Sequence, residues 1–501
     1  MLFRPDADDL RLIGLYTGTV LYGIGVVMLV PLGVALALGE RNEALAFVIG
    51  ASLTISVGAL ARMTLQTRAT LTGGQGLATV ALIWTVVPVF AAVPLLLSGH
   101  YANYLDAYFE GMSGFATIGL TLANDLDHMA RSVNVFRHLL HVLGGQGIVV
   151  VVLTIFSSAG GAIGTLYTGE GEKDRILPNV VSSAAFILRV LAAYAAIGLP
   201  LLWLATIRAG LDPAPALFHA FTLFVTAFDT AGFAPMSASA GFYRSALVEG
   251  VLIVVMVAGA FSFAIHYQLW QGRHRELTRN LETRTFAISL LAIMTLMSVG
   301  LVRAGTFGES GDLFRHGFFQ ALSAHTTTGL ATVPGAMFVS DWGVLAPAMI
   351  ATAMALGGMA GSTAGGIKAI RIGLIVRGIL ADIRRALSPE HAVLVDTYHA
   401  GGRRILREGQ VKAAMTIFIL YLVLYLGGGV LGLFYGYDLR LALFESTSAA
   451  ATGGLSVGLV RPDLEWPLKA FYILQMLVGR LEFIAVFALA GYVVALLRGR
   501  V

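Results

Sequence analysis

Long apolar segments recur along the whole chain, and no other feature of the sequence limits the possible folds as strongly. The hydrocarbon core of a bilayer requires about 20 apolar residues for each crossing helix. We predict ten spans, at 11–38, 44–65, 77–98, 133–158, 181–207, 244–269, 284–303, 342–375, 410–434 and 468–497. The apolar runs are continuous rather than alternating, which is not the pattern of a membrane β-barrel. The sequence therefore predicts an all-α polytopic membrane protein.

Composition supports a lipid environment and removes several kinds of chemistry. Only 12% of the 501 residues are charged, whereas soluble domains carry about 25%. The chain contains no cysteine, so disulfides, thiolate nucleophiles and cysteine metal sites are excluded. The N-terminal stretch "MLFRPDADDLRLIGLY" has no small-residue cleavage site and is interpreted as the mature start. The predicted surroundings are the lipid bilayer, with no nucleic acid as a partner.

Basic residues cluster between the predicted spans, and each cluster follows an even-numbered span. The clusters are Arg62 with Arg68, Lys173 with Arg175, residues 271–284, residues 368–407 and the C-terminal "LLRGRV". Positive residues are retained on the cytoplasmic side of a membrane. The pattern therefore predicts that both termini are cytoplasmic, in the inner (plasma) membrane of a bacterium.

Four connections on the opposite side share one internal pattern. Each contains an amphipathic stretch of about a dozen residues followed by a glycine-rich tail, a length that fits a re-entrant segment better than a span. Each tail carries Thr-x-Gly followed by Leu or Phe. The quartets are Thr117-Ile118-Gly119-Leu120, Thr230-Ala231-Gly232-Phe233, Thr327-Thr328-Gly329-Leu330 and Thr452-Gly453-Gly454-Leu455. Four small-residue helix contacts are the alternative, but they would not explain why all copies lie on one side.

A polar residue precedes three of these motifs at a fixed distance. Glu110, Gln320 and Glu445 each lie nine residues before their glycine. The second copy departs from this pattern, because Leu223 occupies the corresponding position and Asp229 lies directly beside the filter. Asp229 could brace the filter through backbone amides or simply attract cations. The second repeat is therefore predicted to be the least symmetric.

The repeats predict four parallel units of span, re-entrant half-helix, filter and span around one pore, preceded by two extra N-terminal helices. The predicted divisions are 1–70 for the two N-terminal helices and 71–176, 177–280, 281–400 and 401–501 for pore repeats 1 to 4. Glycine permits positive φ, so that successive carbonyls can turn toward the axis. Rings of carbonyl oxygens can replace the hydration shell of a cation. The first three residues of each quartet are therefore predicted to form a cation selectivity filter.

A glycine-rich stretch interrupts the closing span of the third repeat. Glycine costs about 1 kcal/mol relative to alanine in a helix interior, so this stretch is predicted to be an unwound loop that blocks the pore and moves to open it. Close helix packing through small residues is the alternative. The predicted gate residues in this loop are Gly357, Gly358, Gly361, Ser362, Thr363, Gly365 and Gly366.

Arg480 lies deep in the last predicted span, far from both ends. An arginine at such depth is expensive and usually faces an interior or a water path. We predict a positive barrier that faces the pore near the glycine loop, with a snorkelling structural arginine as the alternative. The pair His138 and His141 lies on one helix face, but the span offers no further ligand for a metal.

These motifs together resemble the Trk/Ktr/HKT superfamily of potassium transporters, in particular its bacterial TrkH-type subunits. The resemblance covers nearly the whole chain and rests on the four filters, "GGMAGSTAGGIK" (357–368) and "GRLEF" (479–483). It implies a channel-like potassium uptake subunit of a Trk system, with K⁺ bound and transported and no other cofactor. It also implies a homodimer and cytoplasmic nucleotide-binding TrkA-like regulatory subunits. Filter glycines favour K⁺ in this family, and all four positions are glycine here.

Two other classes of function are alternatives to potassium permeation. A Na⁺- or H⁺-coupled symporter with a closed midplane site also uses broken helices, but it would show two inverted halves rather than four parallel repeats. An intramembrane hydrolase needs a nucleophile–base pair or a metal cluster, and the sequence contains no such arrangement. The chain is therefore predicted to be a transporter and not an enzyme, with passive and coupled transport both left open.

Overall fold

The computed structural model is mostly helical. It describes residues 6–67, 69, 72–123, 125–158, 180–389, 391–392 and 394–498, with side chains throughout except at 148–158 and 180–183. The helices in these ranges are α1 (Ala7–Val27), α2 (Leu29–Leu38), α3 (Arg41–Thr64), α4 (Gly73–Leu97), α5 (Tyr104–Phe115), α6 (Arg131–Ser158), α7 (Val180–Arg208), α8 (Pro213–Phe228), α9 (Ala246–Ala260), α10 (Phe263–Trp270), α11 (Glu276–Arg279), α12 (Leu281–Ala304), α13 (Ser310–His325), α14 (Met337–Ser340), α15 (Leu345–Ala355), α16 (Ala369–Ala386), α17 (Glu408–Phe434), α18 (Leu439–Ala450), α19 (Trp466–Arg480) and α20 (Ile484–Leu497).

Six helical segments in the described ranges are long and apolar enough to cross a membrane. They are Ala7–Leu38, Arg41–Thr64, Gly73–Leu97, Ala184–Arg208, Leu281–Ala304 and Glu408–Phe434. The pairs α9–α10 and α19–α20 raise the number to eight if each bent pair is one span. The predicted all-α membrane fold is confirmed. Of the two other predicted spans, 133–158 coincides with α6, and 342–375 is divided between α15, an irregular segment and α16.

Two spans that the sequence predicts to be continuous are sharply bent. The axes of α9 and α10 differ by 99°, and those of α19 and α20 by 113°. Ser262 caps the new helix α10 by accepting a hydrogen bond from the Ile265 amide. Between α19 and α20, Glu482 and Phe483 have φ angles of 52° and 72°, which a right-handed helix cannot contain.

Several helices are too short to span a bilayer, and we call four of them, α5, α8, α13 and α18, the four pore helices. They contain 12, 16, 16 and 12 residues respectively. Their starts carry local signals, since Asn103 caps α5 and Asp438 caps α18 through side-chain oxygens, and Pro213 opens α8. Proline suits this first position because its missing N–H would have no intrahelical partner.

Each pore helix packs against the helices before and after it in the chain. The pore helix α5 contacts α4 and α6, α8 contacts α7 and α9, α13 contacts α12 and α15, and α18 contacts α17 and α19. In addition, α19 packs against α5, which brings the last unit beside the first. The helices α1 and α3 pack on each other next to this assembly. A short antiparallel hairpin, β1 (Thr397–His399) with β2 (Arg403–Ile405), precedes α17.

Candidate functional site

All four pore helices end in the same backbone turn. In each, the amide that follows the motif threonine donates to a carbonyl five residues earlier. These pairs are Ile118 to Ser113 at 2.8 Å, Ala231 to Thr226 at 3.0 Å, Thr328 to Ser323 at 2.8 Å, and Gly453 to Ser448 at 2.7 Å. This is the backbone pattern of a Schellman helix end, where glycine normally takes the left-handed position.

Threonine occupies that left-handed position in all four copies. The φ angles are 54° at Thr117, 47° at Thr230, 53° at Thr327 and 55° at Thr452. A β-branched residue is a conformational outlier at positive φ. Each such position costs on the order of 1–3 kcal/mol and persists only where the surrounding structure fixes it. The four filters therefore share one strained geometry that is set by their pore helices.

The four motif glycines approach one another closely through their backbones. Their φ angles are 92°, 83°, 83° and 71° at Gly119, Gly232, Gly329 and Gly454. A Cβ atom on Gly119 would lie 2.4 Å from the Cα of Gly232, and one on Gly329 would lie 2.8 Å from the Cα of Gly454. Only glycine fits these approaches between the first and second filters and between the third and fourth.

Two further approaches close the ring. A Cβ atom on Gly232 would lie 3.0 Å from the carbonyl oxygen of Thr328, and one on Gly454 would lie 2.2 Å from the carbonyl oxygen of Ile118. The second filter therefore adjoins the third, and the fourth adjoins the first. The four glycines also line one cavity of about 190 Å³, together with residues that follow them in the chain. The four motif glycines, the third residues of the predicted filters, are thus brought together at a single cavity.

The polar residues nine positions before three of the glycines hold the segment that follows each filter. Glu110 accepts a hydrogen bond from the Leu122 amide at 3.0 Å, and Gln320 accepts from the Thr332 amide at 3.2 Å. Glu445 accepts from the Val457 amide at 2.9 Å. In all three repeats the acceptor and donor are twelve residues apart.

The second repeat replaces both partners of this bond. Leu223 stands at the acceptor position and is fully buried, and the residue twelve positions later is Pro235, which has no amide hydrogen. No buried donor is left without a partner, so an acceptor is not needed there. The departure that the sequence predicts for this repeat is therefore compensated within the repeat.

The predicted gate loop is confirmed to be non-helical, and its irregular backbone extends over residues 356–368. Thr363 is at its centre, where the hydroxyl lies 3.0 Å from the Phe228 carbonyl oxygen and 2.9 Å from that of Gly259, donating to them. The Thr363 hydroxyl also lies 3.1 Å from the hydroxyl of Thr230. All seven predicted gate residues of the loop are in this segment.

The gate loop contacts two more filters on the same side. The Gly365 amide donates to the Thr327 hydroxyl at 2.8 Å. A Cβ atom on Gly365 would lie 1.8 Å from the Thr452 hydroxyl oxygen, so only glycine fits. The loop meets the threonines that precede the glycines, whereas the cavity is lined by the glycines and later residues. The ring of filters therefore separates the cavity from the loop.

Arg480 contacts the gate loop directly. It is 5% exposed, and its guanidinium donates to the Thr363 carbonyl at 2.7 Å and to the Gly144 carbonyl at 3.2 Å. The helix α19 ends at Arg480, so the straight helix assumed for this span is wrong. Arg480 thus connects the fourth repeat to the loop of the third repeat and to α6, which is the closing helix of the first repeat, meaning the helix that follows its pore helix.

Buried charged residues that contact the loop and its C-terminal end were not predicted from the sequence. Glu482 forms an ion pair with Arg371 and lies 3.9 Å from the ammonium of Lys368. Glu282 accepts a hydrogen bond from the Ala360 amide inside the loop. The signal in the sequence was charged residues within apolar runs, but nothing local indicated that they meet.

Two buried ion pairs support the filters from the outside. Arg137 binds Glu110 at 2.8 Å with both side chains fully buried, and Lys469 binds Asp106 at 2.5 Å. The second pair joins α19 to α5. Sequence reasoning missed both, because their partners lie 27 and 363 residues apart.

The paired histidines of α6 bond to backbone carbonyls. His138 lies 2.7 Å from the Asn134 oxygen, and His141 lies 2.8 Å from the Gly114 oxygen at the end of the first pore helix. Within the residues that the structure describes, no group of three or more His, Cys, Asp or Glu side chains could hold a metal ion. His141 thus joins α6 to the end of the first pore helix, and the other ring nitrogen of His138 lies 3.3 Å from the Phe233 carbonyl oxygen in the second motif.

Asp229 follows the last residue of the second pore helix and is fully buried. Its Oδ1 accepts a hydrogen bond of 2.6 Å from the Gln146 side chain on α6. It does not brace the filter through backbone amides, which was one of the two expectations. Its other oxygen has no hydrogen-bond partner in the described part of the chain.

Comparison with known proteins shows which family this chain resembles. The model of the TrkH family, described as a cation transport protein, matches residues 43–492. The Trk system potassium uptake protein TrkH of Halomonas elongata is 29% identical over 96% of this chain and 98% of its own length. An uncharacterized cation transporter of Methanocaldococcus jannaschii is 28% identical over 82% of this chain and 80% of its own length.

A solved structure supports the fold independently of these relatives. The crystal structure of the potassium transporter TrkH from Vibrio parahaemolyticus superposes with a TM-score of 0.81 and covers 95% of this chain and 98% of its own. The two sequences are 24% identical, so this likeness concerns the architecture alone.

Proposed function

The chain belongs to the TrkH family of cation transport proteins, and from this membership we propose that it is the potassium-selective permeation and uptake subunit of a Trk-type system. It is a transporter and not an enzyme. The observation that carries the proposal is the ring of four motif glycines, which approach within backbone contact and line one cavity. Its carbonyl oxygens would replace the water around K⁺.

The filter is proposed to consist of three residues in each repeat, from the strained threonine to the glycine, with both included. The first three residues of each quartet turn their carbonyls toward the axis, and K⁺ is the bound and transported ion. The pore helices end at the ring, so the negative ends of their dipoles would favour a cation there. Rigid backbone geometry supports selectivity, because a strained turn that is fixed four times resists a change in ring diameter.

The glycine-rich loop and Arg480 are proposed to form the gate. The contacts of the loop with the threonines of three filters support an obstruction directly beside the ring. The guanidinium of Arg480 holds the Thr363 carbonyl and adds a positive charge near the ion path. At about 5 Å and an effective dielectric near 20, one such charge opposes a cation by roughly 3 kcal/mol before screening.

The assembly and orientation are proposals at the level of the family. The chain would form a homodimer with TrkA-like nucleotide-binding regulatory subunits below it, in a bacterial inner membrane with both termini cytoplasmic. The pore repeats would be 71–176, 177–280, 281–400 and 401–501, after two extra helices in 1–70. The basic clusters between the spans support this orientation.

Substitution of Gly119 by serine tests the filter. A Cβ atom there would lie 2.4 Å from the Cα of Gly232, so the ring must widen or distort. We expect discrimination of K⁺ over Na⁺ to fall by about tenfold or more, equivalent to 1.4 kcal/mol. The measurement is tracer uptake of K⁺, Rb⁺ and Na⁺ into proteoliposomes that contain the purified full-length protein.

Gly458 provides a matched control for this substitution. Its φ angle is 93°, close to the 92° of Gly119, but no atom lies within 4 Å of its Cβ position. Gly458→Ser therefore imposes the same backbone cost without touching the ring and should retain selectivity. If Gly119→Ser retains selectivity in folded protein, the ring is not the filter. Accumulation of K⁺ against its electrochemical gradient would favour the coupled symporter instead.

A further inference from the structure

Asp229 is a buried carboxylate whose second oxygen is left without a partner. It is fully buried, and among the described residues its carboxylate accepts one hydrogen bond, at Oδ1 from Gln146 Nε2 at 2.6 Å. Among the described residues, neither Asp229 Oδ2 nor Gln146 Oε1 has a hydrogen-bond partner. Two buried acceptor oxygens on adjacent side chains are therefore both free.

Such an arrangement is unfavourable unless something binds there. A buried ionised carboxylate needs an ion pair or a bound cation, and an unsatisfied buried acceptor calls for a ligand, a water molecule or an ion. Asp229 takes part in no ion pair within the described chain. Carboxylate and amide oxygens together are hard ligands of the type that alkali and alkaline-earth cations prefer.

The position of this pair beside the gate follows from the closing helices. A Cβ atom on Gly145 would lie 3.0 Å from Asp229 Oδ1, and Arg480 donates to the carbonyl of the neighbouring Gly144. Gly144 packs on the carbonyl of Phe115, as Gly479 packs on the carbonyl of Ala450 in the fourth repeat. Gly145 in the first repeat thus corresponds to Arg480 in the fourth.

Asp229 therefore lies beside Gly145, the residue of the first repeat that corresponds to Arg480 in the fourth repeat. It is the residue immediately before Thr230, whose hydroxyl contacts the gate loop. The carboxylate is therefore on the loop side of the glycine ring. Arg480 is within electrostatic range of Asp229, but it is held on the Thr363 and Gly144 carbonyls.

We propose that Asp229 Oδ2 and Gln146 Oε1 form a binding site for a monovalent cation such as K⁺ on the gate side of the filter ring. This site is distinct from the carbonyl ring and rests on the proposed function. A cation that leaves the filter meets the Asp229 carboxylate beside the positive charge of Arg480. The site offsets that barrier and holds the ion until the loop moves.

Equilibrium binding of ⁸⁶Rb⁺ to purified full-length protein in detergent tests the site without transport. Asp229→Asn retains the shape and the hydrogen bond with Gln146 but removes the charge. We expect this variant to bind less Rb⁺ at saturation and its K⁺-dependent thermal stabilisation to need about tenfold more K⁺. Gln146→Leu retains the charge and removes an oxygen, and it should weaken binding in the same direction.

Asp125→Asn serves as the control, because this carboxylate is exposed, lies 2.7 Å from the exposed His128 ring and otherwise accepts from the backbone amides of its own turn. Its Rb⁺ binding should equal that of the parent. Unchanged Rb⁺ binding and unchanged K⁺-dependent melting in both folded site variants would overturn the proposal. If Asp229→Asn fails to fold, the result for Gln146→Leu decides. A parent protein that binds Rb⁺ through Asp229 but transports no K⁺ would reject the proposed function and retain the site.

Discussion

At the scale of single residues, the second repeat demonstrates how a pattern can be broken without cost. Three repeats join a polar side chain to an amide twelve residues later. In the second repeat, Leu223 and Pro235 remove acceptor and donor together. A buried polar group is costly only when its partner is missing, so replacing both leaves nothing unsatisfied.

This interpretation predicts a coupling between the two positions. Pro235→Ala creates an amide hydrogen in a place where its counterparts are bonded, and Leu223→Gln buries an amide side chain opposite a proline. Each single change should destabilise the protein by about 1–3 kcal/mol, because each leaves a polar group unsatisfied. The double variant should recover at least about 1 kcal/mol of the summed loss. Thermal unfolding of the four purified forms measures the cycle, and strict additivity would contradict it.

At the scale of elements, the closing helices combine long apolar segments with abrupt ends. Gly259 and Gly479 lie against the carbonyls of Phe228 and Ala450, the last residues of two pore helices. In both spans the helix ends at the next residue. The pore helices and the ends of the closing helices are thus packed at the level of the ring, where the gate loop also lies.

The contacts of Thr363 predict a specific effect on gating. Thr363→Val retains the shape of the side chain but removes the hydroxyl that donates to the Phe228 and Gly259 carbonyls. Loss of these hydrogen bonds should destabilise the position of the loop against the second pore helix by about 1–2 kcal/mol. We expect a roughly fivefold to thirtyfold rise in basal K⁺ flux into proteoliposomes. Ser362→Ala is the control, because among the described residues its hydroxyl bonds only within the loop, donating to the Met359 carbonyl and accepting from the Ala364 amide. A flux at or below that of the parent would refute the prediction that Thr363 holds the loop in the blocking position.

The sequence predicted some elements well and others poorly, for physical reasons. The four motifs that meet in the ring could be located because Thr-x-Gly recurs four times between spans. The irregular loop could be located because five glycines in residues 357–366 cannot sustain a helix. The break after Arg480 could not be predicted, since it depends on positive φ at Glu482 and Phe483. Neither residue favours that conformation locally. Tertiary contacts impose it, including the Glu482–Arg371 ion pair.

At the scale of the whole molecule, the ring is closed by contacts between the last repeat and the first. The helix α19 packs on α5, and the Lys469–Asp106 pair lies in this contact, with the side chains 5% and 1% exposed. Lys469 also donates to the Pro462 carbonyl at 2.7 Å. The pair fixes the fourth repeat beside the first, where the chain itself provides no connection.

Breaking this pair should destabilise the entire assembly. Lys469→Met leaves Asp106 buried without its cation, and the expected loss is about 3–5 kcal/mol, because an uncompensated buried charge is costly. Adding Asp106→Leu should recover much of that loss. Arg440→Met removes an exposed ion pair with Asp438 and should cost less than about 1 kcal/mol. Chemical unfolding followed by tryptophan fluorescence measures all three, and equal losses in the buried and exposed variants would refute the assignment.

Because a single chain supplies all four Thr-x-Gly motifs, each quarter of the ring can carry a different side chain. An assembly of four identical subunits would have to present any arginine near its axis four times, and the opposing energy would rise about fourfold. Here Arg480 in the fourth repeat corresponds to Gly145 in the first repeat. An aspartate precedes the motif threonine in only one of the four quartets, where it is Asp229. A ring built from one chain can therefore carry a charge in a single quarter, which strict rotational symmetry forbids.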